Sequence, residues 1–288
     1  MQSLSFDNAA ALHYIHSRRC PQGGYSFYRT PEWGVEEPNA PDTFFALASL
    51  QLLGVEPLEV VRTEDWLSDL QSADGSWPTL TIGWAADAAL ALLERGPRHD
   101  PRAWLETLLQ QRMQMGDGKR DWRGTLSSLL RLTQLLRRHA PDLLTSGQEQ
   151  LERLLTASRC ASGAWSVPEG DLETSGTALQ LAQTVGLDID HQALAAWWRR
   201  CEDPHLGLRL TPQAGLTSAG ALHGGLIIAL ELKLRPRYPD AIGTQLNFLQ
   251  SSTGGFGARH GALATLQATW LALVTAQQLE KLRESNYE

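Results

Sequence analysis

A glycine followed closely by an aromatic or apolar residue recurs along the chain at nearly even intervals. Four copies are clear, at 20–30, 73–81, 161–170 and 252–261, and two weaker copies, at 116–124 and 204–212, fill the gaps. Successive marker glycines lie 43 to 51 residues apart, a period that is typical of repeat architectures. The markers are Gly24, Gly75, Gly118, Gly163, Gly207 and Gly255.

Each repeat is predicted to be a helix, a turn and a second helix. The runs after the markers, such as 82–96 and 218–234, are apolar on nearly all sides, which favours burial from both sides. The runs before the markers, such as 148–159, keep a charged face. Buried helices inside a ring of amphipathic ones predict an all-α fold, an α/α toroid, with residues 1–288 as a single domain. An open superhelix of helix pairs is the alternative.

The stretch LQSADGSWP at 70–78 explains how the two helices of a repeat are joined. Asp74 and Gly75 are predicted to form the turn, because glycine adopts backbone conformations that a side chain disfavours. Trp77, and Trp165 in a later repeat, are predicted to fill the joint between neighbouring repeats.

The same stretch resembles the Q-x-x-D-G-S-W repeat of the squalene-hopene cyclases and the protein prenyltransferase β subunits. GGFGARHGALATLQATWLAL at 254–273 resembles their terminal repeat. The resemblance implies an α/α toroid whose apolar central cavity accepts an isoprenoid, with chemistry at the rim where the inner helices begin. For a prenyltransferase-like β subunit it also implies a helical partner subunit.

Zinc is not expected. The family's zinc-dependent members use an Asp and a Cys in a D-x-C arrangement at the fifth inner helix and a His at the sixth, whereas here the Asp and Cys are absent and Gln267 stands where the His would be. Cys201, Asp203 and His205, with His223 or His260 as distant supplements, give poor metal geometry in one short loop. No cofactor is predicted, although Mg²⁺ accompanying a diphosphate substrate is left open.

Acidic residues provide the candidate catalytic groups. The family's cyclases protonate an alkene from a D-x-D-D motif, on which Asp171 matches the first acid and Glu173 replaces the central proton donor. The alternative is that Asp171 caps a helix and Glu173 is an ordinary first-turn acid. Asp87 is a further candidate, because it falls inside an otherwise apolar helix and must face the cavity or pair with a neighbour. Asp42 is predicted to be a helix cap.

Basic residues near the predicted mouth are candidates for binding diphosphate. Parallel inner helices would direct their unpaired N–H groups and positive dipole ends to one mouth, which attracts anions. The candidates are Arg29, Arg123, Arg209, Arg259 and His260, with Lys119 and Arg120 nearby. The alternative is that they are solvated turn residues.

Aromatic residues near the starts of the inner helices are candidates for holding an isoprenoid tail or steadying a carbocation. They are Phe44, Phe45, Trp84, Trp122 and Trp270, of which Trp84 and Trp270 are predicted to line the cavity; Gln267 is a further substrate-binding candidate. Packing in the core is the alternative explanation for the others.

Composition limits the class of partner and compartment. A net charge of −7 argues against nucleic acid, and three scattered cysteines suggest a reducing compartment. No stretch approaches about 18 uninterrupted apolar residues, so a cytoplasmic protein is expected, with peripheral membrane contact left open. The predicted function is terpene-cyclase-like, initiated by a carboxylic acid. The alternatives are a zinc-independent prenyltransferase-like β subunit and a non-catalytic isoprenoid-binding protein.

Overall fold

The chain forms an α/α toroid in the computed structural model, which describes residues 6–113, 121–166 and 168–284. Twelve α-helices in this described part alternate between an outer and an inner ring. The outer helices are α1 (Asn8–Ser17), α3 (Val60–Asp69), α5 (Arg102–Met113), α7 (Pro141–Ala157), α9 (His191–Cys201) and α11 (Pro239–Leu249). The inner helices are α2 (Ala40–Leu52), α4 (Leu80–Leu92), α6 (Trp122–His139), α8 (Leu172–Val185), α10 (Ala219–Glu231) and α12 (Leu266–Glu284).

Little other regular structure is present in the described residues. A short 3₁₀ helix spans Pro31–Trp33 before α2. Two antiparallel strands, β1 (Glu202–Asp203) and β2 (Gly207–Leu208), form the turn between α9 and α10. Among the described residues, no helix has the length and apolar character needed to cross a bilayer.

The turn glycines have the predicted backbone conformation and also a second role. Gly75 has φ 84°, and a Cβ there would lie 2.0 Å from the carbonyl oxygen of Asp100, just before α5. The turn of one repeat therefore docks against the start of the next outer helix. In the first and last repeats the glycine with positive φ is Gly23 or Gly254, one residue before the marker. The marker Gly118 lies outside the described residues.

The glutamine of the repeat motif strengthens this docking. Gln71 Nε2 donates to the carbonyl oxygens of Gly75 at 3.0 Å and His99 at 2.9 Å, while its Oε1 accepts from His99 N at 2.9 Å. The side chain thus links its own turn to the segment that leads into the next outer helix. Trp77 and Trp165 are both buried. Trp77 packs 5.3 Å from Trp104 of the next outer helix, α5, as predicted for a joint between repeats, whereas the hydrogen bonds of Trp165 run within its own repeat, to Leu155 O and Ser175 Oγ.

The ring is closed. Each inner helix packs against the next, and α12 packs against α2. The last turn repeats the glutamine interaction across the chain ends, since Gln250 bonds to both the N–H and the carbonyl of Asp7 at 2.8 Å and to Gly254 O at 3.0 Å. The closed toroid is therefore confirmed and the open superhelix is wrong.

Inner helices α2, α4, α8 and α10 fit the prediction of two-sided burial. Helix α12 has exposed polar residues, mostly in its last turns, and α6 departs from the prediction along its length. Its leucines, among them Leu126 and Leu132, are buried. Its other face carries Arg131, Gln134 and Arg138, which line the space inside the ring. The sixfold pattern of apolar inner helices is thus broken at one wall.

The start of α2 also differs from the prediction. Asn39 is the cap, since its Oδ1 accepts from Asp42 N at 2.8 Å. Asp42 lies within the first turn, buried, and its Oδ2 accepts from Phe27 N at 3.0 Å. Asp42 therefore holds the preceding loop against the helix and does not cap it.

Candidate ligand-binding cavity

A cavity of about 830 Å³ occupies the middle of the toroid, and all six inner helices line it. This volume falls within the range of small-molecule sites, about 300–1,000 Å³. The lining is not uniformly apolar, because one wall is aromatic and another is polar and charged. The expectation of an apolar cavity is correct for the aromatic wall and wrong for the wall formed by α6.

The aromatic wall is a continuous cluster of four rings from α2, α4 and α12. Phe44 lies 5.0 Å from Trp84 and 6.2 Å from Trp270, and Phe45 lies 5.4 Å from Trp270, between ring centroids. All four line the cavity. Of the five aromatic candidates, only Trp122 is not among the residues lining it.

The polar wall begins next to this cluster. The Trp84 indole N–H donates to Gln134 Oε1 at 2.6 Å, and the Arg131 guanidinium lies 5.2 Å from the Trp84 ring. Arg131 Nη1 donates to Thr81 Oγ1 at 3.1 Å. Polar groups of α6 thus hold one face of Trp84 while Phe44 packs on another.

Asp87 lines the cavity, and each of its carboxylate oxygens has a partner on α6. Its Oδ1 lies 2.7 Å from His139 Nε2, and its Oδ2 accepts from Arg138 Nη1. The carboxylate is buried, so the two partners at the end of α6 balance a charge that would otherwise be costly. Asp87 therefore ties α4 to α6.

One end of the cavity continues into a second hollow of about 410 Å³. Glu173, Gly220, Gln267 and Leu271 line both spaces. The hollow is surrounded by the beginnings of α6, α8, α10 and α12, so four inner helices direct their N-terminal ends to this mouth. Helix N-termini present unpaired N–H groups and partial positive charge.

Glu173 stands where the cavity meets its mouth. Its carboxylate pairs with Arg123 Nη2 across α6 and α8. Burial raises the pKa of Glu173 above its ordinary value; the Arg123 charge lowers it, and the nearby Asp171 charge raises it further. A Cβ on Gly220 would lie 2.5 Å from the carboxyl group, so a larger residue there would have to displace the Glu173 side chain from this position.

Asp171 has a different role from Glu173. Its Oδ1 accepts from Thr174 N at 2.8 Å and caps α8. It does not line the cavity described above, and its influence on Glu173 is electrostatic.

The basic candidates divide into two groups. Arg123 and Arg259 line the mouth, and Arg259 is exposed. Arg29 pairs with Glu36 at 2.5 Å, Arg209 with Asp203, and exposed His260 packs 6.0 Å from Phe248. None of these three lines either space, while Lys119 and Arg120 lie outside the described residues.

The loop after α9 uses its polar groups to form a turn. Asp203 Oδ1 accepts from the N–H groups of His205 and Leu206 at 2.8 Å, and its Oδ2 accepts from Arg209 Nε at 2.9 Å. Burial raises the pKa of Cys201 to about 12, which opposes formation of a thiolate ligand. Within the described ranges no group of three or more His, Cys, Asp or Glu side chains is placed to hold a metal.

Several lining residues were not singled out from the sequence as cavity residues, among them Arg131, Gln134 and His223. Arg131 and Gln134 lie three residues apart in the run 124–138, a spacing that places both on one helix face. His223 is the lone titratable residue within the buried stretch 219–230, and that isolation is the signal that had singled out Asp87. Its Nδ1 lies 3.2 Å from Gln278 Oε1, and its ring lies 5.6 Å from Trp270.

Comparison with known proteins identifies the fold. No protein-family model and no curated protein sequence matches the chain. A solved structure described as Candida albicans protein geranylgeranyltransferase-I complexed with GGPP is similar, with a TM-score of 0.64 and 12% sequence identity. The match covers 95% of this chain and 92% of that chain. At this identity the likeness shows the fold alone, an α/α toroid of the prenyltransferase type.

Proposed function

We propose that the central cavity binds an isoprenoid diphosphate, with the chain on the aromatic wall and the diphosphate at the mouth. The observation that carries this proposal is that the aromatic cavity is continuous with the basic hollow at its mouth. The ring cluster of Phe44, Phe45, Trp84 and Trp270 opens, through the shared Glu173 and Gln267, into a hollow with Arg123 and Arg259. A ligand with an apolar chain and one anionic end would fit these two environments.

The mouth supplies the groups that bind phosphate elsewhere in proteins. Arg259 has no acidic partner in the described part of the chain, and the first turns of α10 and α12 border the same hollow. Helix N-termini and guanidinium groups are established phosphate ligands. The similar solved structure was determined with GGPP, which is a ligand of this class. Mg²⁺ would accompany the diphosphate, and no resident metal is part of the proposal.

Acid-initiated cyclisation is the chemistry we propose second, and the raised pKa of Glu173 favours it. A protonated Glu173 would give its proton to an alkene carbon, the π electrons forming the new C–H bond and leaving a carbocation beside the aromatic rings. The Arg123 charge opposes the rise in the pKa of Glu173, so a diphosphate that drew Arg123 away would favour the protonated form. Asp171 would act only through its charge, and Asp87 would hold α4 against α6.

A binding function without cyclisation has its own support. Arg131 and Arg137 line the cavity, and positive charges in a low-dielectric space oppose a carbocation. This favours either a prenyltransferase-like β subunit that needs a helical partner or a non-catalytic carrier. A cytoplasmic location and peripheral membrane contact complete the proposal, since isoprenoids partition into membranes.

Calorimetric titration with geranylgeranyl diphosphate and with geranylgeraniol tests the proposal. Arg259→Gln should weaken diphosphate binding about tenfold or more, because a charge-assisted hydrogen bond is lost, and should leave the alcohol unaffected. Phe44→Ala should weaken both ligands. Arg153→Gln, on outer helix α7 and paired with exposed Glu149, is the matched control. Failure of the wild-type chain to bind either ligand would refute the proposed function.

A further inference from the structure

Arg131 is a cation inside the toroid, and no carboxylate of the described residues pairs with it. It lines the central cavity in the middle of α6, away from the mouth where α6 begins. The cavity's carboxylates are engaged elsewhere, Asp87 with Arg138 and His139 and Glu173 with Arg123. Among the described residues, the acceptor found for the guanidinium is Thr81 Oγ1.

The guanidinium is held in place and partly dehydrated. It lies 5.2 Å from the Trp84 ring, and burial lowers its pKa. Arginine nevertheless stays charged in proteins, so the charge persists in the cavity. A desolvated charge is costly unless it is paired, and stacking on an aromatic ring recovers only part of that cost.

Gln134 adds a second donor beside it. An indole N–H can only donate, so the bond from Trp84 Nε1 fixes Gln134 Oε1 as its acceptor and leaves the Nε2 amide as a donor. Arg131 and Gln134 are three residues apart on α6 and both line the cavity. The pair offers several N–H donors, and its one acceptor atom, Gln134 Oε1, already accepts from Trp84, a combination that favours an oxyanion over a neutral alcohol.

We infer that Arg131 and Gln134 form an oxyanion-binding subsite inside the cavity, which takes a carboxylate or phosphate group carried on an apolar ligand. The inference rests on one part of the proposed function, namely that the cavity binds an elongated apolar ligand. It adds that this ligand, or a second reactant, carries an anionic group opposite Phe44 and Trp84, separate from the mouth at Arg259. A purely hydrocarbon tail would leave Arg131 facing an apolar group.

The test compares farnesol, farnesoate and farnesyl monophosphate by calorimetric titration. Wild-type protein should bind both anions more tightly than the alcohol. Arg131→Gln should weaken an anion about tenfold to a hundredfold while leaving farnesol within twofold, and Arg131→Lys should restore part of the affinity. The anion that loses more identifies the carboxylate or the phosphate as the group recognised. Arg153→Gln is the control for an Arg→Gln change outside the cavity.

Three outcomes would overturn the subsite. Arg131→Gln could leave both anions unaffected, it could weaken farnesol equally, or Arg259→Gln alone could account for the loss of anion binding. Melting temperatures and circular dichroism of each variant show that folding is intact. Decanoate, an anion without isoprenoid character, separates the two proposals. If decanoate binding depends on Arg131 while no farnesyl or geranylgeranyl compound binds, the proposed function fails and the subsite stands. If decanoate does not bind either, both proposals fail.

Discussion

Glu173 is the residue on which the enzymatic hypothesis depends. It lines both the cavity and its mouth, and it is paired with Arg123. Its carboxyl group lies against Gly220, where an added Cβ would come within 2.5 Å of it. Burial raises its pKa in the folded protein. A carboxyl group with these properties can be either a proton donor or an anchor for Arg123.

Substitution of Glu173 separates these roles. Glu173→Gln should abolish cyclisation of a prenyl diphosphate or squalene, because the amide cannot give up a proton, and it should preserve prenyl binding. Mass spectrometry of products measures the first effect and calorimetry the second. If product formation is unchanged, Glu173 is not the proton donor. Tighter diphosphate binding in the variant would indicate that the carboxylate competes for Arg123.

His223 is neutral in the folded protein. Burial lowers its pKa from 6.5 to about 4, and its hydrogen bond with Gln278 opposes that shift only partly. As pH falls from 7, the unfolded chain takes up a proton near 6.5 while the folded chain does not until about 4. The stability linked to His223 is therefore complete above 6.5 and is lost as pH falls towards 4.

The pH dependence of unfolding tests this assignment. From pH 7 to pH 5 the wild-type chain should lose about 2 kcal/mol more stability than His223→Gln, which cannot titrate. Urea unfolding of both proteins at the two pH values gives the difference. Equal losses would mean that His223 is accessible to protons in the folded state.

At the scale of elements, α8 and α10 approach each other through glycines. A Cβ on Gly176 would lie 2.5 Å from Gly224 Cα, and one on Gly224 would lie 2.3 Å from Leu172 O. Such close packing places the start of α8, and with it Glu173, against α10. The glycines lower helix propensity, so their presence reflects the approach of the two backbones.

Gly224→Ala should destabilise the protein by about 2 kcal/mol or more, because the clash with backbone outweighs a propensity gain of about 1 kcal/mol. The matched control is Gly124→Ala on α6, whose added Cβ would meet only the side chain of Asp121. That variant should be neutral or slightly stabilised. Denaturant midpoints measure both changes, and a Gly224→Ala protein as stable as the control would contradict the close packing.

The sequence predicted the elements better than the site. The inner helices follow from apolar runs and turn glycines, which are local signals, and Gly75 and Trp77 behave as their motif suggested. The pairs that define the cavity join distant positions, such as Asp87 with His139, 52 residues apart. Arg131 was not singled out, because nothing in 124–138 reveals which face of the helix points into the ring.

Closure of the whole ring depends on the chain ends. Gln250 bonds to Asp7 as Gln71 bonds to His99, Tyr14 donates to Ala264 O at 2.8 Å, and the rings of Phe6 and Phe256 lie 5.4 Å apart. The joint between the last and first repeats is therefore built like an internal joint. A closed ring leaves the apolar faces of α2 and α12 covered by each other.

Gln250→Ala and Gln71→Ala form a matched pair for testing closure. Each removes three hydrogen bonds of a joint. Gln71→Ala should reduce stability by about 1–3 kcal/mol, because its partners are buried or partly buried, and Gln250→Ala by about 0.5–1.5 kcal/mol, because its bonds to Asp7 are exposed. Hydrogen exchange followed by mass spectrometry should show faster exchange in α1 for Gln250→Ala and at the start of α5 for Gln71→Ala. If Gln71→Ala speeds exchange in α5 but Gln250→Ala leaves exchange in α1 unchanged, the ring is open at its chain ends in solution. The cavity would then have a lateral entrance between α2 and α12, and an isoprenoid would not need to enter through the mouth at Arg259.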